Sequence, residues 1–110
     1  MSRVFLIAGE ESGDIHGANL IAALRAQAPG LACEGLGGRR MAEAGMALRY
    51  DLASDAIMGF TEVVKHFPRI RRLFLETKRH IEDTRPDVVV LIDYPGFNVR
   101  MAQALAGSGI

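Results

Sequence analysis

The sequence predicts an α/β fold, a parallel sheet with helices on both faces. Two runs, Val4–Ala8 and Val88–Ile92, are apolar at every position. Strands roofed by helices on two sides need that pattern. Between such runs lie longer stretches with helical spacing, and strands alternating with helices connect by right-handed crossovers into parallel pairs. The strand-like runs also end in loops rich in Gly and Asp, where open parallel sheets keep their ligand sites.

The elements follow in order. After Val4–Ala8 comes the loop Gly9-Glu10-Glu11-Ser12-Gly13. Asp14 or Ser12 can then cap a helix from about Ile15 to Ala28, with Leu20, Leu24 and Ala28 on one stripe. Pro29-Gly30 stops it. Leu31–Leu36 reads as a second strand, Gly37-Gly38 as a turn, and Arg39–Ala44 as a short helix closed by Gly45. Ala47–Tyr50 is a short third strand. Thr61–His66 begins helically, and Pro68 opens a longer helix to about Thr84, because proline suits a first helical turn. Val88–Ile92 is the last strand, Asp93-Tyr94-Pro95-Gly96 a turn, and Phe97–Ala106 a final helix. Gly107-Ser108-Gly109-Ile110 stands where a further strand would begin, so an incomplete domain is expected.

A chain of 110 residues makes one domain at most and can bury a core. It is 49% hydrophobic and 24% charged, with net charge zero, so no global field points to nucleic acid. Cys33 is the lone cysteine, which excludes an internal disulfide framework. The apolar start is too short for a signal peptide or a membrane span, and a cytoplasmic location is expected. His16, His66 and His80 are scattered, so neither a metal site nor a cofactor is expected.

Three loops should meet at the carboxyl edge of the sheet. The first carries Gly9, Gly13 and Gly17, but not in dinucleotide or P-loop spacing. Glu10, Glu11 and Asp14 stand where a phosphate would lie. Like charges about 4 Å apart repel by about 4 kcal/mol at an effective dielectric near ~20. Carboxylates suit a polyol instead, accepting bonds from its hydroxyls. The alternative is that Asp14 caps a helix while Glu10 and Glu11 are solvated. His16, in the first turn of the helix beside the crevice, is either a helix-start residue or a catalytic one.

The second loop, Gly35-Leu36-Gly37-Gly38, opens a helix with no acid of its own, so its free N–H groups can hold an anion beside Arg39 and Arg40. Otherwise it is a tight strand-to-helix turn. In the third loop, Asp93 ends an apolar strand. Packed against Ile92, Tyr94 and Phe97, its carboxyl would have a raised pKa and act as a base; alternatively it is a turn residue. Asn98 either orients a substrate or caps the last helix.

Thr61–His80 carries Lys65, Arg69, Arg71, Arg72, Lys78 and Arg79 against Glu62 and Glu76. Ile70, Leu73 and Phe74 form one stripe, leaving Val63, Val64, Phe67 and Leu75 over. Basic residues beside surplus apolar ones fit an anionic leaflet. A core helix with a solvated basic face fits as well.

Taken together, Ala8-Gly9-Glu10-Glu11-Ser12-Gly13-Asp14-Ile15-His16-Gly17-Ala18, Gly35-Leu36-Gly37-Gly38-Arg39-Arg40-Met41 and Ile92-Asp93-Tyr94-Pro95-Gly96-Phe97-Asn98 resemble the lipid-A-disaccharide synthases. Met58-Gly59-Phe60-Thr61-Glu62-Val63 supports the resemblance. Two positions depart from the family pattern: a small residue is common where Glu11 stands, and an acid where Gly96 stands. The second leaves Asp93 as the strong acid of its loop.

The resemblance implies the N-terminal, acceptor-side Rossmann-like domain of a GT-B glycosyltransferase. The family joins UDP-2,3-diacylglucosamine to 2,3-diacylglucosamine 1-phosphate with inversion and without a metal, peripheral on the cytoplasmic face of the inner membrane. The nucleotide belongs mostly to a C-terminal domain, so these 110 residues alone are expected to be inactive. Asp93 is then the expected base and Glu10 the second candidate. Ser12, Asp14, His16, Gly37, Gly38 and Asn98 are expected to bind substrate. Val64, Phe67, Arg69, Arg72, Phe74 and Leu75 are expected to touch the membrane. The rival readings are a self-contained nucleotide-binding module and a membrane-associated interaction domain without chemistry.

Overall fold

A computed structural model describes residues 2–55 and 60–110, with side chains described except at 55 and 60–66. The motif at Met58–Val63 and the side chain of Val64 therefore lie outside the described residues. The elements are β1 (Arg3–Ala8), α1 (Glu11–Gln27), β2 (Ala32–Leu36), α2 (Arg39–Glu43), β3 (Ala47–Tyr50), a 3₁₀ turn (Ala53–Asp55), α3 (Phe60–Thr84), β4 (Val88–Ile92) and α4 (Pro95–Leu105). The described strands form one four-stranded sheet in the order β3-β2-β1-β4. Every pairing is parallel, with Ile7 opposite Leu36 and Ala8 opposite Ile92.

β1 is the spine of this sheet. Its side chains alternate between two cores, as the period of a strand requires. Val4, Leu6 and Ala8 pack with Ile21, Cys33 and Met41 beneath α1 and α2. Phe5 and Ile7 pack with Leu36, Ile81, Phe97 and Met101 beneath α3 and α4. Full burial of an aliphatic or aromatic side chain contributes roughly 1.5–3 kcal/mol. Gly35 lets β2 lie close to β1: a Cβ there would sit 1.9 Å from the Leu6 carbonyl oxygen.

Three elements differ from the sequence expectation. α1 starts at Glu11 rather than Ile15, because the Asp14 N–H already closes a turn onto the Glu10 carbonyl at 2.9 Å. No side chain caps it; the Asp14 carboxylate points elsewhere. α3 is continuous from Phe60, with Pro68 inside it rather than at a start. Proline lacks one N–H, and the long amphipathic face of α3 holds the helix through that missing bond. Pro95, expected in a turn, is the first residue of α4, where its fixed φ and missing N–H match the helix start.

On the α3 side, the Glu34 carboxylate of β2 meets Arg49 of β3 at 3.0 Å and the His80 ring of α3 at 3.1 Å. The His80 contact is close but not aligned as a hydrogen bond, so it is an ion pair only when the ring is protonated. Burial works against ionisation of Glu34, but His80 and Arg49 outweigh it and hold the carboxyl below its usual 4.5. A depressed carboxylate stabilises the fold above the unfolded-state value and ceases to do so as pH falls through the folded one. Glu34→Gln should therefore unfold at lower urea than wild type at pH 6, with the two midpoints converging as pH drops below 4.5. A gap that persists undiminished at pH 3 would contradict this assignment.

Candidate active site at the β1–β4 switch point

The chain runs outward from β1 to β2 and β3, then crosses back to place β4 on the other side of β1. In open parallel sheets the crevice for ligands opens where the strand order reverses, beyond the strand carboxyl ends. Here that point lies between β1 and β4. Glu10 is two residues past Ala8 and Asp93 one past Ile92, and Ala8 and Ile92 are register partners. The first and third loops thus leave neighbouring strand ends. The Gly37-Gly38 loop leaves the same edge, but on the far side of β1.

Contacts at this edge are close. A Cβ on Gly9 would fall 2.3 Å from the Tyr94 ring, so only glycine admits that ring over the end of β1. Two further glycines serve packing too: Gly17 and Gly37 give room to the Met41 thioether. The glycine-rich look of the first loop therefore reflects close side-chain approach, not a phosphate cradle.

Asp93 and Tyr94 both have left-handed backbones, at φ 50° and 49°. Aspartate tolerates this region, while a bulky residue such as tyrosine occupies it under strain of order 1–3 kcal/mol. The Gly9 contact and a stack on Phe97, with ring centroids 5.8 Å apart, hold Tyr94 there. Asp93 itself is exposed. The apolar enclosure expected around it is absent, because Phe97 turns into the core and Ile92 packs against the α1 side of the sheet.

Asn98 is 4% exposed, and its amide nitrogen lies 3.3 Å from the Ile7 carbonyl, 3.3 Å from that of Ile92 and 2.8 Å from that of Asp93. It does not cap α4, whose N-cap is Tyr94; its amide ties the two strand ends together.

Asp14 gives the sharpest departure. It is 6% exposed, and its two oxygens accept the N–H groups of Gly38 at 3.0 Å, Arg40 at 3.1 Å and Met41 at 3.0 Å. It caps α2 from across the fold instead of its own helix. The N–H groups expected to be free for an anion at Gly37-Gly38 are thus occupied, that of Gly37 by the Tyr50 carbonyl at 3.3 Å and that of Gly38 by the Asp14 carboxylate. A ligand there would have to displace a buried charge.

Glu10, Ser12 and His16 are exposed on the first turns of α1. Beside them a polar groove of about 400 Å³ runs between α1, α2 and the 3₁₀ turn, bordered by Glu11, Arg39, Arg40, Asp51 and Ser54. Asp51 and Ser54 escape a motif-based reading. Their signal is the Asp-x-x-Ser spacing, which folds into a turn with Asp51 accepting from the Ser54 N–H at 3.1 Å and from its hydroxyl at 2.8 Å. Among the described residues no cluster of three or more His, Cys, Asp or Glu could hold a metal.

Residues 4–110 match the family model for lipid-A-disaccharide synthetase. The chain belongs to this family. It is 44% identical over 108 residues, 98% of the chain, to the lipid-A-disaccharide synthase of Trichlorobacter lovleyi. The Myxococcus xanthus synthase is 42% identical over 98% of the chain, and a Coxiella burnetii one 44% over 97%. In each case the chain spans 28% of the relative's length. The motif-based resemblance therefore holds along nearly the whole sequence.

Removing the Asp14 carboxylate leaves three backbone donors at the buried α1–α2 corner without an acceptor. Unsatisfied buried donors cost about 1–3 kcal/mol apiece where water cannot reach them. Asp14→Ala is expected to lower stability by roughly 2–4 kcal/mol. Chemical denaturation checks it, and a change under ~0.5 kcal/mol, typical of surface sites, would mean water replaces the carboxylate without cost.

Proposed function

We propose that this chain is the acceptor-side domain of an inverting hexosyltransferase of lipid A biosynthesis, joining UDP-2,3-diacylglucosamine to 2,3-diacylglucosamine 1-phosphate and releasing UDP. The observation that carries the reading is the family match over residues 4–110, in a chain whose switch point presents an exposed carboxylate at Asp93. In this reading the acceptor's 6-hydroxyl attacks the anomeric carbon of the donor. Its proton passes to Asp93, the new C–O bond forms, and the bond to UDP breaks with its electron pair leaving on the phosphate oxygen. In-line attack inverts the anomeric centre.

Glu10 is the second candidate base, and Ser12 and His16 supply hydrogen bonds to sugar hydroxyls. Asp14, Gly37, Gly38 and Asn98 act one step back, by fixing the loops that carry these groups. The nucleotide falls to a C-terminal domain outside the present sequence, so the 110 residues alone are inactive. A self-contained nucleotide site is disfavoured, because Asp14 already fills the α2 N-terminus where a phosphate would lie. A positioned base typically contributes ~10²–10⁴-fold. Asp93→Asn in the full-length enzyme is expected to lower kcat by at least about a hundredfold with its circular dichroism unchanged. Near-normal turnover would remove Asp93 from the mechanism.

The same reading places the protein on the anionic cytoplasmic leaflet through α3. Phe67 and Leu75 are 59% and 50% exposed, and Arg69 and Arg72 are exposed beside them; Val64 belongs to the same proposal. Phe74 is the exception, since it meets Phe97 edge-on at 5.2 Å in the seam between α3 and α4. No described helix is long and apolar enough to cross a membrane. Phe67→Glu with Leu75→Glu should release the protein from anionic vesicles in flotation, and unchanged flotation would withdraw α3 from membrane contact.

A further inference from the structure

The Asp93 carboxylate has no hydrogen bond and no ion pair among the described residues. A carboxylate without a partner points where its backbone sends it. The loop Asp93-Tyr94-Pro95-Gly96 therefore decides the direction of this group.

That loop does not hold itself. Asp93 and Tyr94 are consecutive left-handed residues, at φ 50° and 49°. The left-handed region is costly for a residue with a bulky side chain. A residue that precedes proline is, in addition, biased toward the extended region. Tyr94 meets both conditions. Unrestrained, its peptide would relax to an extended form and carry Asp93 with it. Strain of this kind persists only where the surroundings over-determine it.

Two groups supply the restraint. Asn98 grips the backbone: its side-chain amide donates to the Asp93 carbonyl at 2.8 Å, and its own N–H donates to the Tyr94 carbonyl at 3.0 Å. The Tyr94 ring supplies the second grip. Asp93, Pro95 and Gly96 are exposed, so Tyr94 is the one residue of the loop that packs. Its ring occupies the place where a Gly9 Cβ would stand, with three ring carbons within 2.7 Å of that point. On the buried Phe97 the ring lies nearly parallel, at 29° between planes.

We propose that Tyr94 is a positioning residue for Asp93: its ring, seated in the notch that Gly9 leaves, holds the loop left-handed and so fixes the direction of the Asp93 carboxylate. The proposal rests on the transferase reading for the role of Asp93 as base, and on the notch for the conformation itself. Gly9 then matters to the reaction as well as to packing. The end of β1 sets the geometry of a group carried by β4.

Crystal structures and steady-state kinetics of the full-length enzyme test the proposal. Tyr94→Ala removes the ring, and Gly9→Ala fills the notch. In both, Asp93 should leave the left-handed region. A displacement of about 1 Å can cost about a hundredfold in rate, so kcat should fall at least about tenfold in both, with KM for either substrate within about threefold of wild type. Tyr94→Phe keeps the ring and should keep both the loop conformation and kcat. Gly9→Ala with Tyr94→Ala should be no slower than Tyr94→Ala alone, because the added methyl then has no ring to displace. This pair keeps the test intact if Gly9→Ala alone does not fold. Tyr94→Ala added to Asp93→Asn should cause no further loss, since Tyr94 acts through that carboxylate.

A loop that stays left-handed in Tyr94→Ala overturns the proposal, whatever the rate. Loss of turnover in Tyr94→Phe would overturn it in favour of a direct role for the hydroxyl. A further drop on adding Tyr94→Ala to Asp93→Asn would overturn it in favour of contact between the ring and substrate. The base assignment is judged separately. Normal turnover in Asp93→Asn, with the loop displaced in Tyr94→Ala, defeats only that assignment. Loss of turnover in Asp93→Asn, with loop and kcat undisturbed in Tyr94→Ala, defeats only the positioning role.

Discussion

β1 is paired along both edges and roofed on both faces, and that double enclosure governs the rest of the molecule. A strand so placed can carry no polar side chain in its middle without leaving it unpaired. Phe5, Leu6, Ile7 and Ala8 are accordingly at or below 1% exposure. Polar groups are displaced to the ends of the strand. At its carboxyl end stand Glu10, Ser12 and Asp14, opposite the end of β4 with Asp93. The candidate site therefore lies where the core leaves room for polar side chains, at the carboxyl end of the central strand.

The fold was legible because its signals are local. Val4–Ala8 and Val88–Ile92 read as strands without reference to anything else, and β3 was visible as a short run. The ends of α1 and α3 were not. Asp14 looks like a cap for the helix that contains it, since sequence offers no hint that the N–H groups it accepts from lie 24 to 27 residues ahead. Pro68 looks like a helix start because the packing that carries α3 through it is tertiary. At the site, the identities of the loops were legible and the roles of individual residues less so. Asn98 could be singled out as a polar residue at the right edge, but its bonds to three carbonyls depend on the β1–β4 register. The exposure of Asp93 depends on the way Tyr94 turns, which the sequence Asp-Tyr-Pro-Gly does not specify.

Tyr94 joins features that appear separate along the chain. Its left-handed backbone carries strain, the bare Gly9 admits its ring, and Phe97 stacks on it. Phe97 in turn meets Phe74 on α3. A continuous line of aromatic rings thus runs from the strand ends to the seam between α3 and α4. Displacement of α3 would be felt at the peptide that carries Asp93, because close-packed rings transmit movement rather than absorb it.

The capping of α2 by Asp14 has a consequence for how the molecule opens. Amides in the first turn of a helix ordinarily exchange with solvent deuterium quickly, since no preceding carbonyl protects them. At Gly38, Arg40 and Met41 the protecting acceptor belongs to α1. These three protons can exchange only when α1 and α2 separate, so their protection reports the opening of the β1-α1-β2-α2 segment as one cooperative unit.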